Sequence, residues 1–129
     1  MPHLYRVILP VTDIEQAATF YGKVLGVVGE RVSPGRHYFD CGGTILACYD
    51  PQADEDPLGG GWQYHENQYL YFSVQDLQEI RKRIEKAGGE LLSKIETMPW
   101  GERMFYALDP FGGRISFVEE GTQFRGAEA

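Results

Sequence analysis

The residues able to do chemistry in this chain are few and dispersed. Histidines stand at positions 3, 37 and 65, and cysteines at 41 and 48. His3 lies near the start, His37 begins a strand pattern, and His65 sits in a linker. Each reads as an isolated residue before a metal ligand. No GxSxG, HExxH, CxxC or P-loop pattern occurs. Gly59-Gly60-Gly61 follows no strand and opens no helix, so it makes a poor phosphate cradle. Cys48 is a candidate reactive thiol, against the plainer reading of a buried, inert side chain. Arg6 is the sharpest single residue, because a guanidinium on an inner sheet face needs a partner. That partner is Asp40, Asp50, Glu120 or an anionic group on a ligand. Asp50 and Glu120 end two matching strands, as ordinary solvated acids or as a ring at a cleft mouth.

Bulk properties narrow the classes. The chain has 129 residues, 43% hydrophobic and 24% charged, which suits one ordinary globular domain without staples. Its net charge of −7 disfavours nucleic acid, which needs a basic footprint. The acidity serves solubility or steers a cationic ligand, and inside a cleft local geometry outweighs it, since screening limits bulk charge to about 8 Å. No apolar run is long enough to span a bilayer, so no membrane partner is expected. MPHLYRVILPVTD lacks the layout of a signal peptide. Two cysteines make no disulfide framework, and a reduced, cytoplasmic protein is expected.

These residues must be positioned by a repeated set of elements. The stretch PWGERMFYALDPFGGRISFVEE, residues 99–120, reads as strand, tight turn, strand. HYFDCGGTILACYD, residues 37–50, is a weaker copy. Ahead of the copy come a strand at 5–11, a helix and a short strand at 27–32. Thr12 and Glu15 fit a capping box, with Ile14, Ala17, Ala18, Tyr21, Val24 and Leu25 at helical spacing up to Gly26. Ahead of the later hairpin come a strand at 69–74, a helix from Asp76 to Gly88-Gly89 and a strand at 90–94, with 95–101 as a loop. In the second helix Leu77, Ile80, Ile84 and Ala87 form one face. Arg81, Lys82, Arg83, Glu85 and Lys86 form a solvated one.

The chain is therefore β-α-β-β-β twice: module 1 at 4–50, a linker at 51–67, module 2 at 68–120 and a tail at 121–129. The linker reads as an exposed loop, within which Trp62, Tyr64 and His65 are bulky enough to fold over a pocket or to anchor the loop. The fold class is α+β. Each helix covers one sheet face, and the remaining faces are expected to meet and enclose a cleft, where ligand sites form. Trp100, Phe105 and Tyr106 fit either core or cleft lining.

The duplicated module, the VTDIEQAATFYGKVLG opening and the WG…DPFGG…ISFVEE close resemble the vicinal oxygen chelate superfamily, the glyoxalase, bleomycin-resistance and extradiol dioxygenase group. The resemblance covers residues 4–120. It implies a homodimer and, in metal-using members, one ligand on the first strand of each module and one on the last, mostly His, Glu or Gln. Here those positions read Arg6, Leu46, Tyr69 and Ser116. Moving all four by two gives Ile8, Cys48, Tyr71 and Val118, or Leu4, Thr44, Asn67 and Arg114. Moving by one gives Val7, Ala47, Leu70 and Phe117, which read as core. No set holds two good ligands for a divalent ion.

Two functions follow. The first is metal-independent binding of a small organic molecule, with no cofactor. Its cleft residues are Arg6, Ile8, Leu46, Cys48, Tyr69, Tyr71, Ser116 and Val118, with Trp62 and Trp100 as aromatic walls. The alternative is a glyoxalase- or dioxygenase-type enzyme, a lyase or oxidoreductase with a non-standard site. There Tyr69 and Arg6 are the candidate catalytic pair.

Overall fold

The chain is described by a computed structural model at residues 2–57 and 65–124. It divides into two compact units, Met1–His65 and Glu66–Ala129, with the boundary inside the linker read from sequence.

The first unit runs β1 (Arg6–Pro10), α1 (Ile14–Leu25), β2 (Glu30–Ser33), β3 (Arg36–Cys41) and β4 (Thr44–Tyr49). Its sheet order is β1-β4-β3-β2, with β1 and β4 parallel and the other pairs antiparallel. Helix α1 starts one residue later than the capping box suggests. Asp13, not Thr12, is the N-cap, and its Oδ1 accepts from Gln16 N at 3.1 Å. A carboxylate is a good acceptor for that N–H and also faces the positive end of the helix dipole. Ile14, Ala17, Phe20, Tyr21 and Val24 are buried. Ala18 and Leu25 are only half-buried, since Phe20 takes the place on the core stripe that Ala18 had been given. The strand expected at 27–32 begins only at Glu30, because Gly29 takes a left-handed φ of 72°.

The linker's first half is no free loop. Asp54 accepts from Ser33 Oγ at 2.7 Å and Gly35 N at 2.6 Å. The Tyr49 hydroxyl donates to Asp56, and Arg36 lies over the Tyr49 ring at 4.3 Å. Trp62 and Tyr64 lie outside the described residues.

The second unit runs β5 (Tyr69–Val74), α2 (Leu77–Ala87), β6 (Glu90–Leu91), β7 (Glu96–Thr97), β8 (Arg103–Leu108) and β9 (Arg114–Glu119). Its sheet order is β5-β9-β8-β6, with β7 also paired to β8. The strand expected at 90–94 is thus split. Leu92 N donates to Tyr106 O and Ser93 Oγ takes the Tyr106 N–H, both at 2.9 Å, so a side chain replaces one ladder bond. Asp76 caps α2 through Glu79 N, and Gly88 closes it in a left-handed conformation. Leu77, Ile80 and Ile84 are buried, and Phe72, Phe117 and Phe105 stack at centroid distances of 5.3 and 5.5 Å. Arg81 departs from the solvated face read for it. Its guanidinium lies 5.0 Å from the Phe105 ring centre and donates to Ser93 O at 2.7 Å.

The two hairpins are not copies. In the first unit Cys41 pairs with Thr44 across Gly42-Gly43, whose φ values of 69° and 104° suit a two-residue turn. In the second, Leu108 pairs with Arg114 across a five-residue loop, Asp109 to Gly113. Buried Asp109 holds that loop, its Oδ1 accepting from Phe111 N at 2.8 Å and Gly113 N at 2.7 Å. A turn length that changes by an odd number reverses the side-chain parity of everything after it.

Candidate functional site

Cross-strand partners project to the same face of a sheet. In the first unit Arg6 pairs with Ile45, Ile8 with Ala47 and Pro10 with Tyr49. Leu46 and Cys48 pair with Val7 and Leu9 on the opposite face, and Leu46 also pairs with Phe39, which packs on Tyr21 of α1. Leu46 and Cys48 are therefore core, 4% and 0% exposed, and do not line a face with Arg6. The sequence placed them there by overlaying two hairpins whose turns differ in length. Ala47, set among the core by the same overlay, is the residue that shares the Arg6 side. Cys41 is half-buried, and burial first, then the Asp40 charge, pushes its thiol up, away from nucleophilic use.

Arg6 makes no salt bridge among the described residues. Its Nη1 donates to the Tyr38 hydroxyl at 3.1 Å and its Nη2 to the Tyr5 hydroxyl at 3.3 Å. Both rings also lie beneath the guanidinium, at 5.4 and 5.0 Å. These phenols favour its charged form, the Tyr5 hydrogen bond most, but do not neutralise it. Asp50 is occupied as an acceptor for Gln52 N at 3.1 Å.

In the second unit Tyr69 pairs with Arg114, Tyr71 with Ser116 and Ser73 with Val118. Here the sequence-based face is right: Tyr69, Tyr71, Ser116 and Val118 share it. Across β9, Tyr106 pairs with Ser116 and Leu108 with Arg114. Ser116 and Val118 are buried beneath this face, whereas Tyr69 and Tyr71 stand 44% and 52% exposed. Together they shape a recess of about 450 Å³, lined by Tyr69, Tyr71, Leu92, Ser93, Tyr106, Ala107 and Arg114. That volume lies in the range of small-molecule sites.

The recess has a fixed internal order. Arg114 Nε donates to Glu66 O at 2.9 Å, and the guanidinium stands 5.4 Å from the Tyr69 ring centre. Tyr69 meets Tyr106 edge to face at 6.0 Å. Tyr106 shares a hydrogen bond with Tyr71, and that bond, burial and the neighbouring phenol and Glu102 charges push its pKa up to about 12. Tyr106 is thus a proton holder at neutral pH, able to donate a hydrogen bond but not to act as a base. Ser93 is held from behind by Arg81. Ser116 Oγ, fully buried on the rung between Tyr71 and Tyr106, has no hydrogen-bond partner among the described residues.

Sequence reading found Tyr69 and Tyr71 but missed Arg114, Leu92 and Ser93, and left Tyr106 undecided with Phe105. Alternation separates the last two once Phe105 is known to be core: it is 0% exposed, and Tyr106 takes the other face. Trp100 is exposed, donates to Glu102 at 2.8 Å and lies outside the recess lining.

A family model described as the Glyoxalase/Bleomycin resistance protein/Dioxygenase superfamily matches residues 3–117. The chain belongs to that superfamily. No curated protein matches it. Solved structures share the fold. A glyoxalase-related enzyme from Fulvimarina pelagi is 23% identical with a TM-score of 0.77, over 98% of this chain and 94% of that one. A glyoxalase/bleomycin resistance protein from Albidiferax ferrireducens T118 is 17% identical with a TM-score of 0.73, over 89% and 96%. A lactoylglutathione lyase from Agrobacterium tumefaciens is 21% identical with a TM-score of 0.70, over 92% and 93%. At these identities the likeness is one of fold, and chemistry has to be argued from the site.

Metal-using members of the superfamily imply a metal site, and the residues at hand do not fit one. The positions that the resemblance assigns to ligands hold Arg6, Tyr69 and Ser116, with Leu46 turned into the core and Ala47 on the face instead. None supplies imidazole, carboxylate or thiolate, and Arg6 brings a positive charge. Among the described residues no group of three or more His, Cys, Asp or Glu is arranged to hold an ion. No helix among them is long and apolar enough to cross a membrane.

Proposed function

We propose that this superfamily member binds a small organic molecule in the recess of the second unit through its own side chains, without a metal. The observation that carries this is the recess itself: about 450 Å³, walled by Tyr69, Tyr71 and Tyr106, with one guanidinium at its rim. Aromatic walls supply apolar contact area and a few fixed polar groups supply orientation. The Tyr106 phenol keeps its proton and Ser93 is braced by Arg81, so the lining is ordered before a ligand arrives. Such preorganisation lowers the entropic cost of binding. A homodimer, implied by the resemblance, and a cytoplasmic setting, consistent with Cys41 and Cys48 standing outside any disulfide, complete the reading.

An acid–base role for Tyr69 with Arg6 gains no support, because the guanidinium set over Tyr69 belongs to Arg114. The test is a ligand screen by thermal shift, followed by calorimetry on Tyr71→Ala and Arg114→Gln. Hits are expected to raise the melting temperature of the wild type and to lose affinity in both variants. Hits that bind the two variants unchanged would place the site elsewhere. About one Zn, Ni, Fe or Mn per purified chain would refute the metal-free part. Turnover of a hemithioacetal or a catechol would favour the enzyme instead.

A further inference from the structure

We propose that the recess takes an uncharged aromatic ring bearing a carbonyl group, whose oxygen is held by the hydroxyls of Ser116 and Tyr106. This rests on the reading of the recess as the ligand site and adds the class of ligand. The charges about the recess are already engaged by the protein. Arg114 Nε donates to Glu66 O at 2.9 Å, its guanidinium stands 5.4 Å from the Tyr69 ring centre, and it has a further interaction with the chain. Glu102, whose charge acts on Tyr106, accepts from Trp100 Nε1 at 2.8 Å and from Phe124 N at 2.9 Å. A cation and an anion thus both act on the recess, and both are held. Among the described residues the rest of the lining is uncharged: Tyr69, Tyr71, Tyr106, Leu92, Ser93 and Ala107. A charged ligand of either sign would give up its hydration without a dedicated counter-charge.

The hydroxyls gather on one rung. Tyr71 pairs with Ser116 and Ser116 with Tyr106, so three side chains of one face carry O–H groups in a row. Ser116 Oγ is fully buried and has no hydrogen-bond partner among the described residues, a donor held out of water with nothing to take its proton. Tyr71 and Tyr106 share a hydrogen bond, and Tyr106 keeps its proton at neutral pH. Tyr71 is 52% exposed on β5, at the edge of the sheet. Swinging aside, it uncovers Ser116 and releases Tyr106 to bond elsewhere. A carbonyl oxygen has two lone pairs, one for each of these donors. Away from the rung the lining suits a ring. Tyr69 meets Tyr106 edge to face at 6.0 Å, packing that an incoming ring extends, and exposed Leu92 adds apolar surface. Ser116 on this reading trades stability of the empty protein for affinity, its hydroxyl unmet alone and met on binding.

Four probes separate the features: benzamide, the anion benzoate, the cation benzylamine and the alicyclic cyclohexanecarboxamide. Binding to the full chain is measured at neutral pH by NMR titration, following the ring signals of Tyr69, Tyr71 and Tyr106. We expect benzamide to bind roughly fivefold tighter or more than each of the other three, with Tyr71 and Tyr106 shifting most. Ser116→Ala is expected to raise the melting temperature of the empty protein and yet to weaken benzamide roughly threefold or more, the loss of one hydrogen bond. A purely structural serine would not give that pair of effects. Tyr106→Phe, with an unfolding curve like the wild type's, is expected to weaken benzamide similarly. Benzoate or benzylamine binding as tight as benzamide's, benzamide affinity unchanged in both variants, or no binding by any probe would overturn the ligand class. The recess reading would survive that outcome if a broad screen yielded another ligand shifting the same tyrosine signals. It would fall only if screen hits left those signals unmoved.

Discussion

Ser116→Ala makes a sharp test of the hydrogen-bond accounting in the second sheet. The Oγ atom is fully buried, sits on the rung between Tyr71 and Tyr106, and has no hydrogen-bond partner among the described residues. An unsatisfied buried hydroxyl costs about 1–3 kcal/mol in desolvation. Removing one oxygen leaves a void of roughly 10–15 Å³, which costs about 0.3 kcal/mol at the usual cavity coefficient. Ala keeps the Cβ and the backbone, so the net expectation is a gain of about 1–2 kcal/mol. For a chain of this length that raises the melting midpoint by roughly 3–8 °C. Urea unfolding by tyrosine fluorescence and circular dichroism measures it, with the denaturant slope unchanged. A variant less stable than wild type by 1 kcal/mol or more would refute the reasoning. It would mean that the hydroxyl has a partner, such as a buried water, worth more than its desolvation.

Three further outcomes follow from particular contacts. Tyr106 should titrate near 12, and Tyr71→Phe should move it down by removing the largest cause; tyrosine-selective NMR or absorbance at 295 nm reads both. Because the raised value means that the folded state keeps a proton the unfolded state loses, this contribution to stability is intact below about pH 10. It fades between about 10 and 12. Gly29 and Gly42 share similar φ values, 72° and 69°, but a Cβ at Gly29 meets Tyr38 O at 2.7 Å and one at Gly42 meets nothing within 4 Å. Gly42→Ala should therefore cost about 1 kcal/mol of left-handed strain and Gly29→Ala roughly 2–4 kcal/mol, measured side by side in urea. Asp54→Ala should cost roughly 2–3 kcal/mol, since it strips an acceptor from Ser33 Oγ and Gly35 N at a side chain only 8% exposed. Loss of hydrogen-exchange protection confined to 33–36 would accompany it.

Much of the fold is written locally. The helix stripes of α1 and α2, the N-cap at Asp76, the glycine stops at Gly26 and Gly88 and both hairpins follow from residue types a few positions apart. Those same signals were enough to point to the superfamily, and Tyr69 and Tyr71 were placed correctly on the recess face because alternation within one strand is itself a local property. The sequence alone also determined that the ligand positions of metal-using relatives hold no matching donors, since that depends on residue type and survives a shift of register.

Which side chains of different strands share a face was decided only in three dimensions. It depends on how many residues each turn consumes, two at Gly42-Gly43 and five from Asp109 to Gly113. That odd difference turned Leu46 and Cys48 into the core and brought Ala47 round to the Arg6 side. The recess depends on longer-range events still. Arg114 reaches Glu66 across 48 residues of chain, and Ser93 is braced by Arg81 on the neighbouring helix. Nothing in the spacing of these residues marks them as neighbours, because the contacts form only when β5 pairs with β9 and Ser93 meets Tyr106 of β8 through its side chain. Local chemistry sets which elements exist. Strand pairing, through turn length and register, sets which of their residues meet.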